Sequence, residues 1–157
     1  MNRRAWMSAL FAVSLAGCAS TQPQNVVQVI AADPNLSTLS KLINEAGLNE
    51  TLSSAGPYTV FAPTNKAFSA VPAKTMGALA GNKEMLKQVL TYHVVASKAS
   101  AADVKAGHVK TVNGADIAVA RTANFVTIDE ALVTGADKAA TNGVVHVIDR
   151  VLLPPKR

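Results

Sequence analysis

The sequence has a single cysteine, few aromatic residues and no concentration of charge of either sign. One cysteine in 157 residues excludes an intrachain disulfide, a Cys-x-x-Cys redox pair and a thiolate zinc cluster. Aromatic residues make up only 4% of the chain, which disfavours sugar binding by ring stacking. The net charge of +5 is scattered along the chain. We therefore expect no nucleic-acid partner, because nucleic-acid binding requires a concentrated basic face.

The composition that remains is that of a globular protein. Hydrophobic residues account for 49% of the chain and charged residues for 16%. A chain of about 150 residues buries enough surface to fold without metal or disulfide staples. The sequence shows no internal repeat of the kind that builds solenoids. These features predict a single domain.

The first eighteen residues have the layout of a secretory signal. Arg3 and Arg4 precede an apolar run of twelve residues, which only two serines interrupt. Twelve helical residues rise about 18 Å, which is short of the roughly 30 Å hydrocarbon core of a membrane. The run ends in Leu-Ala-Gly-Cys at residues 15–18, which resembles the lipobox of bacterial lipoproteins. The resemblance implies acylation of Cys18, and ordinary cleavage near Ala19 is the alternative.

The lipobox resemblance divides the chain into three parts. It implies a signal peptide over residues 1–17, a lipidated N-terminus and short tether over 18–25, and a folded domain over 26–157. The membrane is then a partner through acylated Cys18, which anchors the chain without spanning the bilayer. In enteric bacteria an Asp after the cysteine retains a lipoprotein in the inner membrane, and here Ala19 follows it. For a Gram-negative host we therefore expect an exported protein on the outer membrane, facing the periplasm or the cell surface.

Apolar periodicity and turn residues predict a mixture of helices and strands. Helical spacing runs from Leu36 to Ala46 and stops at Gly47, while Asn82 is placed to cap a later helix. Runs of β-branched and aromatic residues and Asn-Gly pairs also predict strands and turns. The strands are predicted at Tyr58–Ala62, Phe125–Ile128, Ala131–Val133 and Val144–Ile148, a hairpin at Asn113–Gly114, and a turn at Asn142–Gly143.

Two segments and one residue pair resemble the fasciclin domain family. Residues 59–68 (TVFAPTNKAF) look like its first signature motif, and residues 142–154 (NGVVHVIDRVLLP) look like its second. Tyr92 and His93 lie between them, at the place of the family's tyrosine-histidine pair. The resemblance implies an α+β fold, a compact wedge or sandwich of short strands flanked by several helices, which agrees with the periodicity.

The resemblance also implies roles for individual residues. In animal adhesion members of the family the tyrosine-histidine segment is implicated in receptor contact, so Tyr92 and His93 become candidates for partner contact. The other motif residues are expected to be structural: Thr59, Phe61, Pro63, Thr64, Asn65, Phe68, Asn142, Gly143, His146 and Asp149. Alternation with Val144 and Ile148 independently favours His146 as a core histidine.

No catalytic or metal-binding pattern is found in the sequence. It contains no Gly-x-Ser-x-Gly elbow, no phosphate-cradling glycine loop and no His-Glu-x-x-His. The three histidines, His93, His108 and His146, lack metal-ligand spacing. Asp129 and Glu130 form the only adjacent acidic pair, which we interpret as a solvated turn. We therefore expect no enzyme activity, no cofactor and no metal.

Three classes of function remain. The resemblance favours an adhesion or interaction module that binds an envelope, matrix or host-surface protein or polysaccharide. The alternative is a carrier of a small apolar ligand, which would need a concave apolar pocket. The third is structural service in the envelope, for which one basic stretch offers contacts to anionic polysaccharide, although a solvated face is the simpler interpretation: Lys98, Lys105, His108 and Lys110.

Overall fold

The computed structural model describes residues 23–98, 106–123 and 125–154. The predicted signal peptide, Cys18, Lys105 and most of the predicted tether lie outside these residues. The helices of the described part are α1 Val26–Ala32, α2 Ser37–Ala46, α3 Asn49–Ser53, α4 Asn65–Ala70, α5 Ala73–Gly81 and α6 Lys83–Tyr92, with a short 3-10 helix at Pro34–Leu36. Its strands are β1 Tyr58–Pro63, β2 Val94–Val95, β3 Gly107–Lys110, β4 Asp116–Arg121, β5 Val126–Ile128, β6 Ala131–Ala140 and β7 Gly143–Ile148.

The helices begin and end where local chemistry provides a cap. The predicted helix α2 is confirmed, and it ends at Gly47, whose φ of 70° is the left-handed conformation that glycine adopts without strain. The predicted cap of α6 is confirmed as well, because the Asn82 side chain accepts hydrogen bonds from the first-turn amides. Helix α1 was not predicted. It is capped by Asn25, which exchanges two hydrogen bonds with Gln28 in a capping box.

The strands form one sheet with the order β2-β1-β7-β6-β5-β4-β3. Strands β1 and β7 are parallel, and every other neighbouring pair is antiparallel. The two outer ends of the sheet also meet, because Val95 forms a bridge with Thr111, and the N–H of Val112 donates to the Val94 carbonyl at 2.8 Å. The predicted α+β class is confirmed, and the sheet curls until its two ends touch.

Two apolar cores lie on opposite faces of β1 and β7. Val60 and Val145 face the core that the helices cover, whereas Phe61 and Ile148 face the core enclosed by the curled sheet. Successive strand residues point to opposite faces, so a strand between two cores has no polar side. All six residues of β7 are accordingly buried, which confirms the prediction that this segment lies in the middle of the sheet.

The predicted turns are present, and one strand is longer than expected. The Asn113–Gly114 hairpin joins β3 to β4, with Gly114 at a φ of 87°, and Asp129–Glu130 is the turn between β5 and β6. The strand predicted at Ala131–Val133 continues to Ala140. It pairs with β5 through Ala131 and Leu132 and with β7 from Val133 to Ala140, and two register shifts interrupt its pairing with β7.

Gly143 is required because another backbone lies against it. It is the first residue of β7, where it pairs with Tyr58 of β1. A Cβ atom on Gly143 would lie 1.9 Å from the Tyr58 carbonyl oxygen, a separation no side chain can adopt. The predicted turn is formed by Thr141 and Asn142. Gly143 is therefore needed for the close approach of two strands, and not because the turn requires a positive φ at this position.

We predict that Gly143→Ala destabilises the protein by about 3 kcal/mol or more, because only a shift of backbone could relieve the clash. Gly77→Ala is the matched control. Gly77 lies in α5 and a Cβ there would meet nothing within 4 Å, so this change should stabilise the protein by about 1 kcal/mol. Urea unfolding of both variants measures the two effects. Equal stability of Gly143→Ala and the wild type would contradict the explanation.

Candidate functional site

Asn142 ties three separated parts of the chain together. Its Oδ1 accepts a hydrogen bond from the N–H of Val26 at 2.9 Å, and its Nδ2 donates to the carbonyls of Leu52 and Ser54 at 2.7 and 3.1 Å. A side-chain amide is suited to this position because it offers an acceptor and two donors together. The start of α1, the end of α3 and the turn before β7 are thereby held at one edge of the domain.

Thr64 and Asn65 in the first motif divide two tasks between them. The sequence left open which of the two caps the following helix, and the structure assigns the cap to Thr64, whose Oγ1 accepts from the N–H of Ala67. The Asn65 side chain accepts from the N–H of Thr38 at 3.1 Å and donates to the Pro34 carbonyl at 3.0 Å. Asn65 therefore joins α4 to the beginning of α2.

Other motif residues also contact the protein itself. The fully buried Thr59 donates to the Ser97 carbonyl at 2.6 Å. Asp149 accepts from the N–H of Leu132 at 2.8 Å and continues the pairing beyond β7. His146 is buried and stacks on Phe61, with ring centroids 5.7 Å apart. Phe68 is buried in the core beneath the helices, and Pro63 ends β1 opposite Ile148.

Tyr92 closes α6 against the curled part of the sheet. Its ring belongs to the enclosed core, and its hydroxyl donates to Oδ2 of Asp129 at 2.9 Å. Burial, followed by the hydrogen bond to this carboxylate, raises the pKa of Tyr92 to about 12. Oδ1 of Asp129 accepts from the N–H of Ala118, and this bonding holds Asp129 at a φ of 51°, which is unusual outside glycine.

His93 joins the end of α6 to the C-terminal segment. The N–H of Leu152 donates to Nε2 at 2.9 Å, so this nitrogen is the acceptor and the proton resides on Nδ1, which donates to the Val89 carbonyl at 2.7 Å. The ring is completely buried, and burial lowers the pKa of His93 from 6.5 to about 4. The histidine is therefore neutral at physiological pH.

The two candidates for partner contact lie inside the domain. Tyr92 and His93 are 4% and 2% exposed, and hydrogen bonds to the protein occupy both side chains. Neither therefore presents a surface to a partner in this structure. Asp129, which accepts the hydrogen bond from Tyr92, is itself exposed to solvent. The sequence could not indicate this burial, because the bonding partners of Tyr92 and His93 are 37 and 59 residues away.

Charged and metal-binding side chains are dispersed. Within residues 23–98, 106–123 and 125–154, no three His, Cys, Asp or Glu side chains come together as metal ligands. His108 and Lys110 lie exposed on β3, and Lys110 is opposite Asp116, a residue of opposite charge. Lys98, the first member of the predicted basic stretch, lies elsewhere, in a surface groove.

That groove lies beside Asn142 and has a volume of about 490 Å³. Its lining combines small and polar residues and includes no large aliphatic or aromatic side chain: Ser53, Ala55, Gly56, Pro57, Lys98, Ala140, Thr141, Asn142 and Gly143. Such a lining lacks the large apolar and aromatic side chains that line most pockets for apolar ligands.

Large apolar side chains at the surface are few in the described residues. Phe125 is the most exposed of them, at 57%, and Met85, Val112 and Leu153 are partly exposed. The sequence placed Phe125 at the start of a strand, but β5 begins at Val126. In the part of the chain that the structure covers, no helix is long and apolar enough to cross a membrane.

The buried histidine predicts a specific pH dependence of stability. As the pH falls from 6.5 to 4, the unfolded chain protonates His93 while the folded chain does not. His93 therefore lowers the free energy of unfolding by about 3 kcal/mol over this range. Above pH 6.5 this loss is absent. His93→Gln should be less stable than the wild type at pH 7. Its free energy of unfolding should fall by about 3 kcal/mol less than that of the wild type between pH 7 and pH 4.

Urea unfolding at several pH values measures the two curves. His108→Gln, which replaces an exposed histidine on β3, shows how much a histidine substitution alone changes the curve. Parallel curves for the wild type and His93→Gln would contradict a neutral, buried His93.

Comparison with known proteins identifies the family. A model of the Fasciclin domain matches residues 34–154. The chain is 44% identical over 139 residues to Protein sll1483 of Synechocystis, which covers 87% of this chain and 77% of that protein. It is 39% identical over 146 residues to the cell surface glycolipoprotein MPB83 of Mycobacterium bovis, covering 88% and 65% of the two chains.

The fold also matches a solved structure. A FAS1 domain pair from the insect cell adhesion molecule Fasciclin I superposes with a TM-score of 0.67, at 21% identity, over 83% of this chain and 51% of that one. At this identity the likeness concerns the fold, while the family model and the bacterial relatives concern the sequence. The chain belongs to the fasciclin domain family.

Proposed function

We propose that this chain is a lipid-anchored, extracytoplasmic fasciclin domain that binds a partner at its outer surface without catalysing a reaction. The family is associated with cell adhesion and with proteins of the cell surface. The partner would be an envelope, matrix or host-surface protein or polysaccharide. A single domain binds weakly, and many copies on one membrane would supply strength through avidity.

One observation supports this proposal above the others: the polar motif residues are committed to the protein's own structure. Asn65, His93 and Asn142 bond to backbone groups of distant segments. The bond from the Leu152 N–H to His93 is buried, and an unpaired backbone group at such a place costs about 1 to 3 kcal/mol. The motifs therefore build a rigid domain, and recognition is left to exposed residues.

The lipid anchor is supported by the sequence and by one relative. Residues 15–18 resemble a lipobox, and Cys18 is the only cysteine. The M. bovis relative is named a cell surface glycolipoprotein, which accords with export and lipidation of this chain. The alternative function, carriage of a small apolar ligand, gains little support from the groove beside Asn142, because no large apolar side chain lines that groove.

The anchor predicts a change in cell fraction. Cys18→Ser removes the sulfur to which the lipid is attached, so the protein should move from the membrane fraction to the soluble fraction. Ser20→Ala leaves residues 15–18 unchanged and should remain with the membrane. Fractionation and immunoblotting in the host measure both. A Cys18→Ser protein that stays in the membrane fraction would exclude the lipid anchor.

Adhesion predicts a difference in attachment between strains. A strain lacking the protein should attach to surfaces or cells more weakly than one complemented with the wild type, and Cys18→Ser should not restore attachment, because avidity on the membrane is lost. Tyr92→Phe removes a buried hydroxyl and changes no exposed side chain, but it also removes the hydrogen bond to the exposed Asp129, so Asp129→Asn serves as its control. Tyr92→Phe should restore attachment while lowering stability by about 1 kcal/mol.

Two results would count against this function. Wild-type attachment by the strain that lacks the protein would contradict adhesion. If a folded Tyr92→Phe protein fails to restore attachment while Asp129→Asn restores it, Tyr92 itself takes part in recognition, and this would contradict binding at the outer surface.

A further inference from the structure

The chain is fixed to the domain close to its predicted lipid. The Gln24 carbonyl accepts a hydrogen bond from the N–H of Thr141 at 2.9 Å, and the next helix, α1, begins under the Asn142 side chain. Val26 and Ile30 of α1 are completely buried. Helix α1 is thus part of the folded domain, and the connection to the lipid consists of the residues before Gln24.

That connection is short. Six residue steps separate Cys18 from Gln24, and six residues span at most about 20 Å when fully extended. The groove beside Asn142, together with Thr141, therefore lies within about 20 Å of an acylated Cys18. We call this surface the anchor edge, and define it by Ser53, residues 55–57, Lys98 and residues 141–142.

The strands lead away from the anchor edge. Strand β7 begins at Gly143, beside Asn142, and the parallel strand β1 begins opposite it at Tyr58. Both strands have six residues, which corresponds to about 20 Å. Their far ends, together with the β5–β6 turn that Leu132 joins to Asp149, form the opposite edge of the domain: Thr64, Asp129, Glu130, Asp149 and Arg150.

The two edges differ in charge. Lys98 is the one charged residue among those that line the groove at the anchor edge, and no carboxylate belongs to that lining. The opposite edge has three exposed carboxylates, Asp129, Glu130 and Asp149, with Arg150 beside them and Lys66 nearby. A bacterial membrane surface is anionic and attracts cations near it. The charges therefore favour the same orientation as the short connection.

We propose that the anchor edge faces the phospholipid surface, with Lys98 at the headgroups, and that the opposite edge points away from the membrane and is the surface open to a partner. This orientation rests on the lipidation of Cys18 in the proposed function. It confines the search for adhesive contacts to the end of the domain that includes Asp129, Glu130 and Asp149.

Fluorescence quenching at single cysteines tests the orientation. Acylation leaves the chain without another thiol, so one introduced cysteine is labelled uniquely. Ala55→Cys at the anchor edge and Glu130→Cys at the opposite edge are both at exposed positions. Each lipidated, maleimide-labelled protein is inserted into phosphatidylethanolamine–phosphatidylglycerol vesicles that contain a nitroxide headgroup quencher. Quenching at position 55 should be at least twofold stronger than at position 130.

A second pair protects the test against local effects of one substitution. Ser53→Cys and Arg150→Cys report on the same two edges, and both positions are exposed. Lys98→Glu in the Ala55→Cys protein should weaken quenching at position 55, because it places a carboxylate against anionic headgroups. Unchanged quenching in this double variant would overturn the contact of Lys98 with the headgroups.

The outcomes separate the orientation from the anchor. Equal quenching at the two edges in protein that floats with the vesicles, or stronger quenching at position 130, would overturn the orientation and leave the anchor standing. If the wild type purified from membranes floats no better with vesicles than Cys18→Ser does, the anchor is wrong and the orientation falls with it.

Discussion

The close approach of β7 to β1 is the constraint on which the rest of the structure depends. At Gly143 the Tyr58 carbonyl occupies the space of a side chain, so the two parallel strands can pair from their first residues. This pair separates the core beneath the helices from the core inside the curled sheet. Asn142 lies beside the contact and bonds to the start of α1 and the end of α3, two helices that cover the first core.

Polar side chains of the motifs form hydrogen bonds with backbone groups that the helices and strands leave unpaired. Asn65, His93 and Asn142 each bond to the backbone of a segment far away in sequence. Burial keeps His93 neutral, and this neutrality allows its ring to accept a hydrogen bond from Leu152 while donating one to Val89. Under the proposed function, the residues that bind a partner would lie on the exposed surface of the domain, and the short connection to the lipid would determine which part of that surface a partner can reach.

Local patterns predicted the elements that local chemistry determines. Helix α2 was recognisable from its apolar spacing and from Gly47, and β7 from the apolar residues on both of its faces. Helix α1 has only seven residues and was missed. The sequence also could not show that Gly143 avoids a clash with another strand or that Tyr92 is buried, because both depend on residues brought together by the fold. Candidate contacts chosen by motif alone therefore fell in the interior.

Native-state hydrogen exchange at three amides tests most directly the claim that motif side chains belong to the cooperative core. Each amide donates to one such side chain: Val26 to Asn142, Leu132 to Asp149 and Leu152 to His93. The account predicts that all three exchange only through global unfolding, with the opening free energy shown by the amides in the middle of β7. Exchange through local opening, at a free energy well below the global value, would contradict it.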